Sequence, residues 1–489
     1  MDSSKTEKGQ YDIEAPAPLA ATVSQVGEIT KEQQVDAVFG AVTEDGPNYR
    51  ALGWIGTVAL MLKTQIGLGV LSLPHAFHTL GMIPGAILLC VVAGIAIWTS
   101  YIVGVFKLKH RDVYSIDDAG YLMFGRVGRE FFAVAFCLYW IFVAGSGMLG
   151  ISIGLNAISV HGTCTAVFVA VAAISGFLLA SIRTLGRISW LAWVGLAFIL
   201  CSGKPDICLE ILQCSSNAHT VFVVTISVGI QDRPAEAPQT GPWESDWQLV
   251  GHPTFSQGVA AVSTLIFACS ATSAYFAIVC EMRDPRDFSK AVITSQVIST
   301  IVYLIVAVVV YYFCGSAVAS PALGSAGPLI KRIAYGLALP GLLVTTTICL
   351  HLPAKYFLVR ILRGSEHLTA NSLVHWCTWL GCTGGSTLIA YVIASGIPVF
   401  GDLVSLIGAL LGFCLAYQPT GCMWLYDNWS RQNRDWKWKG MVAWCVFIIA
   451  LGSFMTVSGT YGSIVNIIDS LKKSGGTRPW TCADNSNSV

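Results

Sequence analysis

Nine stretches of this chain run for eighteen residues or more without one Asp, Glu, Lys or Arg: 81–106, 131–159, 163–182, 258–280, 291–313, 333–350, 376–401, 403–426 and 440–468. A helix rises about 1.5 Å per residue, so about 20 apolar residues cross the roughly 30 Å of hydrocarbon in a bilayer. Lipid offers no partner for a bare amide or carbonyl, so each stretch must close its own hydrogen bonds as a helix. Residues 51–74 form a tenth span, interrupted by Lys63. The chain therefore reads as an all-α polytopic membrane protein. Charged residues are only 12% of the 489, about half of the roughly 25% usual for a soluble domain. Lys plus Arg (29) nearly cancel Asp plus Glu (28), which leaves no basic surface for nucleic acid. A disordered scaffold is excluded by the hydrophobic share of 54%.

The eleventh span is divided. Residues 188–200 (ISWLAWVGLAFIL) and 221–230 (VFVVTISVGI) are each too short to cross. Joined, they make one helix of 23 residues, which gives eleven in all. Between them, residues 201–220 carry Lys204, Pro205, Asp206 and Glu210, a costly set in lipid. That segment reads as foreign to the helix, for example a retained in-frame intron; the rival is a genuine re-entrant or external loop.

Loop charge sets the expected orientation. With the N-terminus inside, the cytoplasmic segments hold 21 Lys plus Arg and the external ones six. Eleven spans then put the C-terminal tail, 469–489, outside. Residues 1–50, with nine acidic and four basic residues, read as a disordered cytoplasmic arm, and 51–468 as the membrane domain. The sequon Asn428-Trp429-Ser430 falls on an inside loop and should carry no glycan. The external loop 231–256, with Trp243 and Trp247, reads as an interfacial lid, and loop 107–129 as holding a short amphipathic helix. Most cysteines, such as Cys90, Cys137, Cys349 and Cys445, sit in apolar runs as small hydrophobes, and none has metal spacing. Cys164 and Cys314 both fall at external helix ends and are a candidate disulfide.

Chemistry inside the apolar zone is confined to a few places. In Lys63-Thr64-Gln65-Ile66-Gly67-Leu68-Gly69-Val70-Leu71-Ser72-Leu73-Pro74, two glycines sit mid-span with a proline close behind. Such a stretch leaves helical geometry easily, and at membrane depth unwound backbone must line a cavity or be buried in protein. It frees carbonyls for a cation and a half-helix N-terminus for an anion, a match for a zwitterion. Close packing through small residues is the plainer alternative. The sixth span carries Phe267-Ala268-Cys269-Ser270-Ala271-Thr272-Ser273-Ala274-Tyr275 at mid-membrane, small and hydroxyl-rich but without Gly or Pro, so a break there is inferred. Two interrupted segments five spans apart fit an inverted five-helix repeat. Lys63 is the one charge deep in a span; it serves coupling or snorkels to the inner interface. Thr345 and Thr346 in the eighth span face the site or bond their own helix, and Tyr139 gates it or merely packs. Glu281 and Asp284, in EMRDPRDF, suit a helix end with salt bridges. No converging catalytic set points to an enzyme.

GLGVLSLP at 67–74, preceded by Lys63, resembles the first-helix signature of the amino acid/auxin permease family, within the amino acid–polyamine–organocation superfamily. Eleven spans, EMRDP at 281–285 and the acidic tail agree, and the resemblance covers 51–468. Within the family the chain looks most like fungal neutral amino acid permeases of the methyltryptophan-resistance type. The resemblance implies a LeuT-type 5+5 inverted-repeat fold with discontinuous helices 1 and 6 plus one extra helix. It implies uptake of neutral aliphatic and aromatic L-amino acids across the plasma membrane, driven by protons, with no cofactor. Backbone from Ile66 to Ser72 and from Phe267 to Thr272 would hold the substrate. Sodium-coupled relatives tend to have Asn at the position of Lys63, which leans this chain towards protons. A non-transporting amino acid sensor and a vacuolar exporter are the rival readings.

Overall fold

The computed structural model describes residues 53–182, 233–238, 240, 242–362, 365, 367, 372–431, 434–473, 479–480 and 482–486, and two short strands near the N-terminus. The strands, Val35–Asp36 and Gly40–Ala41, pair antiparallel with Val35 opposite Ala41, within a compact unit of residues 1–47. The divided eleventh span and the 201–220 segment lie outside the described residues.

In the second unit, residues 48–489, the described elements are helical. Helix α1 (Trp54–Gln65) ends at mid-chain of its span, a 3-10 turn covers Leu68–Ser72, and α2 (Leu73–Leu80) completes the passage. Next come α3 (Met82–Lys109), α4 (Ile116–Ser159) and α5 (Thr165–Ala180). The run 258–280 is α6 (Phe255–Ala268), a 3-10 turn at Ala271–Ala274 and α7 (Tyr275–Glu281). Then follow α8 (Phe288–Cys314), α9 (Pro328–Leu362) and α10 (Leu373–Gly396). The run 403–426 comprises α11 (Phe400–Ile407), ten residues of π-helix (Gly408–Tyr417) and α12 (Gln418–Asn428), and α13 is Trp436–Lys473. Among the described residues eight helical runs are long and apolar enough to cross a membrane, and α5 is a shorter apolar one. Their outward side chains, such as Leu178 (62% exposed) and Val457 (74%), are apolar, as a lipid-facing surface requires.

Local signals explain several boundaries. Thr254 and Gln257 form a capping box at the start of α6, the Thr254 amide donating to Gln257 Oε1 at 3.0 Å. Gly125, at φ 66°, turns the amphipathic segment 116–124 away from the membrane run of α4, which is the short helix expected within loop 107–129. Asp284 caps the turn Pro285–Asp287 by accepting from the Arg286 amide, and Lys290 pairs with Asp287 at 3.0 Å, so EMRDPRDF is a helix junction with a salt bridge.

Two groups of helices emerge from the packing. Helices α4, α5, α9 and α10 all pack on one another, while α8 packs against α1, α2 and α3 beside the interrupted helices. The C-terminal segment straps the first group. Cys164, at the α4–α5 turn, is bonded to Cys482, not to Cys314, which is buried and free at the end of α8. The candidate Cys164–Cys314 bridge is thereby corrected: those residues belong to different helix groups. Around the true disulfide, Thr165 Oγ1 donates to the Ala483 carbonyl (2.5 Å), Asn156 Nδ2 to Asn485 Oδ1 (2.6 Å) and the Trp480 amide to the Ser395 carbonyl (3.3 Å). Lys331 Nζ donates to the Ser486 carbonyl. The tail expected from residue 469 starts later, because α13 runs to Lys473.

Candidate functional site

The two interrupted helices meet at their gaps. Ile66 (ψ 86°) and Gly67 (φ −140°, ψ −127°) leave helical geometry after α1, and Cys269 and Ser270 do so after α6, although that stretch has no Gly or Pro. The contact is close: a Cβ placed on Gly69 would stand 2.8 Å from Ala268 Cα and 3.1 Å from Ala268 Cβ. Only glycine at 69 lets the two backbones approach this far.

Buried polar groups hold the gaps open. Tyr303, in α8, puts its hydroxyl 2.7 Å from the Gln65 carbonyl oxygen and 3.0 Å from that of Ala268, one carbonyl from each broken helix. Beneath it lies a closed ring of three side chains. Gln65 Nε2 donates to Gln296 Oε1 (2.9 Å), Gln296 Nε2 to the Tyr275 hydroxyl (3.4 Å), and that hydroxyl to Gln65 Oε1 (3.2 Å). Each member has its acceptor and donor in the ring, so three neutral polar groups are buried without a charge. The ring joins α1, α7 and α8. Ser72 Oγ donates to the Gly69 carbonyl at 2.8 Å, Ser270 Oγ to that of Ile266 at 2.6 Å, and Tyr139 O–H reaches that of Ser270 at 3.5 Å.

Between the gaps is a cavity with about 50 Å³ of space for the centres of water-sized molecules. Its lining includes Gly67, Leu68, Gly69, Phe267, Ala268, Ala271, Tyr139 and Thr345, eight residues expected from the sequence, with Thr64, Gln65, Trp140, Val143 and Cys349. None of these is charged. A smaller neighbouring space of about 20 Å³ is bounded by Gly67, Leu68, Val70, Leu71 and Thr345. Thus the cavity has room for a few waters. Trp140 Nε1 and Thr272 Oγ1 are buried with no hydrogen-bond partner among the described residues.

The remaining expected residues are placed as follows. Ile66, Ser72, Cys269, Ser270 and Thr272 are buried in the gaps. Thr345 and Thr346 donate to their own helix, at the Gly341 (3.0 Å) and Leu342 (2.8 Å) carbonyls, and Thr346 packs against Gly147 instead of lining the cavity. Lys63 lies in α1, and its side chain is outside the described residues. Gln65 and Tyr275 lie in the stretches singled out from the sequence but were given no role there, and Gln296 and Tyr303 were not singled out. A lone glutamine in the uncharged run 291–313 was the available signal for Gln296.

The loop that follows residue 242 packs on the ends of α2, α3 and α8. The Met82 and Ile83 amides donate to the Gln248 and Leu249 carbonyls (both 3.0 Å), and the Gly251 amide to that of Leu80 (3.0 Å). Ser245 Oγ donates to the Tyr312 carbonyl at 2.7 Å and the Gln248 amide to the Tyr311 hydroxyl at 3.0 Å. Trp247 packs on Tyr312, so the described part of this loop is latched to helix ends. Asp246 accepts from the Ser316 amide at 2.7 Å. Burial pushes its carboxyl pKa up, but the Ser316 hydrogen bonds and the His78 imidazole outweigh that and hold it below its ordinary value.

Comparison with known proteins agrees with this architecture. The family model described as transmembrane amino acid transporter protein matches residues 50–465. A transmembrane transporter of Gibberella moniliformis is 34% identical over 446 residues, 91% of this chain and 90% of that protein. The N amino acid transport system protein of Neurospora crassa is 33% identical over 445 residues, 90% of each. Among solved structures, the inward-facing conformation of Mhp1 superposes with a TM-score of 0.52 at 12% identity, covering 90% of this chain and 95% of that one.

Proposed function

This chain belongs to the transmembrane amino acid transporter protein family, whose members are carriers and not enzymes, and on that premise we propose that it is a proton symporter for neutral amino acids. The observation that carries the reading is the pair of helix gaps, in contact at Gly69 and Ala268 and facing one cavity. A zwitterion brings one charge of each sign. The carboxylate suits the amides that open the turn Leu68–Ser72, a half-helix N-terminus where the dipole is positive. The ammonium suits the carbonyls freed at the end of α6. A lining of Gly, Ala, Leu, Val and aromatic side chains with no charge disfavours cationic and anionic side chains.

Site residues in this reading are Ile66 to Ser72, Phe267 to Thr272 and Tyr139, with Lys63, Thr345 and Thr346 as coupling residues. We read α1–α2 and α6–α7 as corresponding members of a 5+5 inverted repeat, moving together against α4, α5, α9 and α10 to alternate access. The N-terminus is cytoplasmic and the membrane is the plasma membrane. Two separate facts support that orientation: the 21 against six distribution of Lys and Arg, and a disulfide at the end bearing Cys164, which belongs in an oxidising compartment.

The test is uptake of radiolabelled leucine and phenylalanine at two pH values, with arginine and glutamate as competitors and a fluorescent tag for location. Expected are faster uptake at acid external pH, no competition by arginine or glutamate, and label at the cell surface. Equal competition by arginine removes the substrate reading, and pH-independent uptake removes proton coupling. Binding without uptake makes the chain a sensor.

A further inference from the structure

Tyr303 faces two carbonyls with one proton. Its hydroxyl is within 3.0 Å of both Gln65 O and Ala268 O, and a phenol donates a single hydrogen. The carbonyls are not equally served. Gln65 O also accepts from the Gly67 amide at 3.0 Å. Among the described residues no backbone amide donates to Ala268 O, because the chain leaves the helix at Cys269 and Ser270. The neighbouring phenol does not help, since Tyr275 gives its proton to Gln65 Oε1 in the ring. Among the described protein groups, Ala268 O therefore depends on Tyr303, although the hydroxyl lies nearer to Gln65 O. Ala268 also lines the cavity. A buried carbonyl without a donor is costly, so this oxygen needs a partner in every state of the protein.

We propose that Tyr303 is a positioning residue which caps the Ala268 carbonyl in the empty carrier and yields it to the substrate's ammonium on loading. The inference rests on the amino acid site proposed above. In the empty state the phenol proton is shared between the two carbonyls. An arriving ammonium brings three donors and takes Ala268 O. The phenol then turns wholly to Gln65 O, where the 2.7 Å separation already favours it. No buried acceptor is left bare in either state. Returning empty is a compulsory step of net uptake, whereas exchange of internal for external substrate keeps the carrier loaded in both directions. The hydroxyl thus matters for net uptake and not for exchange.

The experiment compares wild type, Tyr303→Phe and Tyr303→p-aminophenylalanine in cells, measuring surface level, net leucine uptake and leucine–leucine exchange. Tyr303→Phe removes the cap and its competition with the ammonium. It should lower net uptake by at least about fivefold while exchange stays near wild type and KM does not rise. Tyr303→p-aminophenylalanine supplies two donors, satisfies both carbonyls and competes with the ammonium. Its KM for leucine should rise by at least about fivefold at normal surface level. Net uptake and exchange falling together in Tyr303→Phe, or an unchanged KM with the amino variant, overturns the proposal. If Tyr303→Phe does not reach the surface, the amino variant decides alone, because it leaves no acceptor bare. Wild type that neither accumulates nor exchanges leucine overturns the underlying amino acid reading, and this proposal with it. Transport by wild type with either contrary variant result overturns this proposal alone.

Discussion

Adding one carbon at Gly69 tests whether the two interrupted helices must touch. The new Cβ would lie 2.8 Å from Ala268 Cα, and ordinary contact begins near 3.4 Å, so the backbones must part by about 0.6 Å, the difference of the two. The atom in the way is backbone, with no flexible side chain to swing aside. Overpacking of this kind costs about 1–3 kcal/mol. The cost falls on the contact between the two gaps that border the cavity, so Gly69→Ala should weaken apparent leucine affinity by about 5- to 150-fold, the ratio that this energy range sets. Gly67→Ala is the matched control. Nothing lies within 4 Å of a Cβ there, so the backbones need not move. That methyl group would instead intrude on a cavity of about 50 Å³ and penalise large substrates more than alanine. Uptake kinetics normalised to surface protein provide the assay. A wild-type leucine KM in Gly69→Ala would refute the claim that the gaps are functional only in contact.

Three further outcomes are expected. The depressed carboxyl of Asp246 adds stability to the docked loop at pH values above its unfolded pKa, a contribution lost as pH falls through the lower folded value. Asp246→Asn should therefore flatten the acid limb of a thermal-stability profile, and an unchanged limb counts against the latch. Cys482→Ser opens a link that spans 318 residues, which should cost about 2–4 kcal/mol of stability. It should also make Cys164 react with a membrane-impermeant maleimide on intact cells; no labelling opposes the orientation. Lys63→Ala should flatten the pH dependence of uptake, and an unaltered profile rejects a coupling role for Lys63.

The membrane runs were legible residue by residue. Transfer into lipid is decided locally, so the uncharged stretches located helices α3 to α13, apart from the divided span outside the described residues; most ends agree within about five residues, but α4 begins at Ile116, well before 131, and α9 continues to Leu362, well past 350. The first gap was legible too, since Gly67 and Gly69 announce it in their own backbones. The second was harder. Phe267 to Thr272 contains no residue that breaks a helix by itself, and the chain opens there because Tyr303 and Gly69 offer partners and space from elsewhere.

What the sequence determined alone is the solvent of this chain, the direction of its loop charge and one site of unwinding, because hydropathy and glycine conformation act over a single turn. The tertiary structure decided which groups complete the site. Gln65 meets Gln296 across 231 residues, Tyr303 meets the Gln65 carbonyl across 238, and Cys164 takes Cys482 and not Cys314. Those pairings depend on how helices pack, and a hydrogen bond tolerates an error of only a few tenths of an ångström. No local pattern in a sequence carries that information.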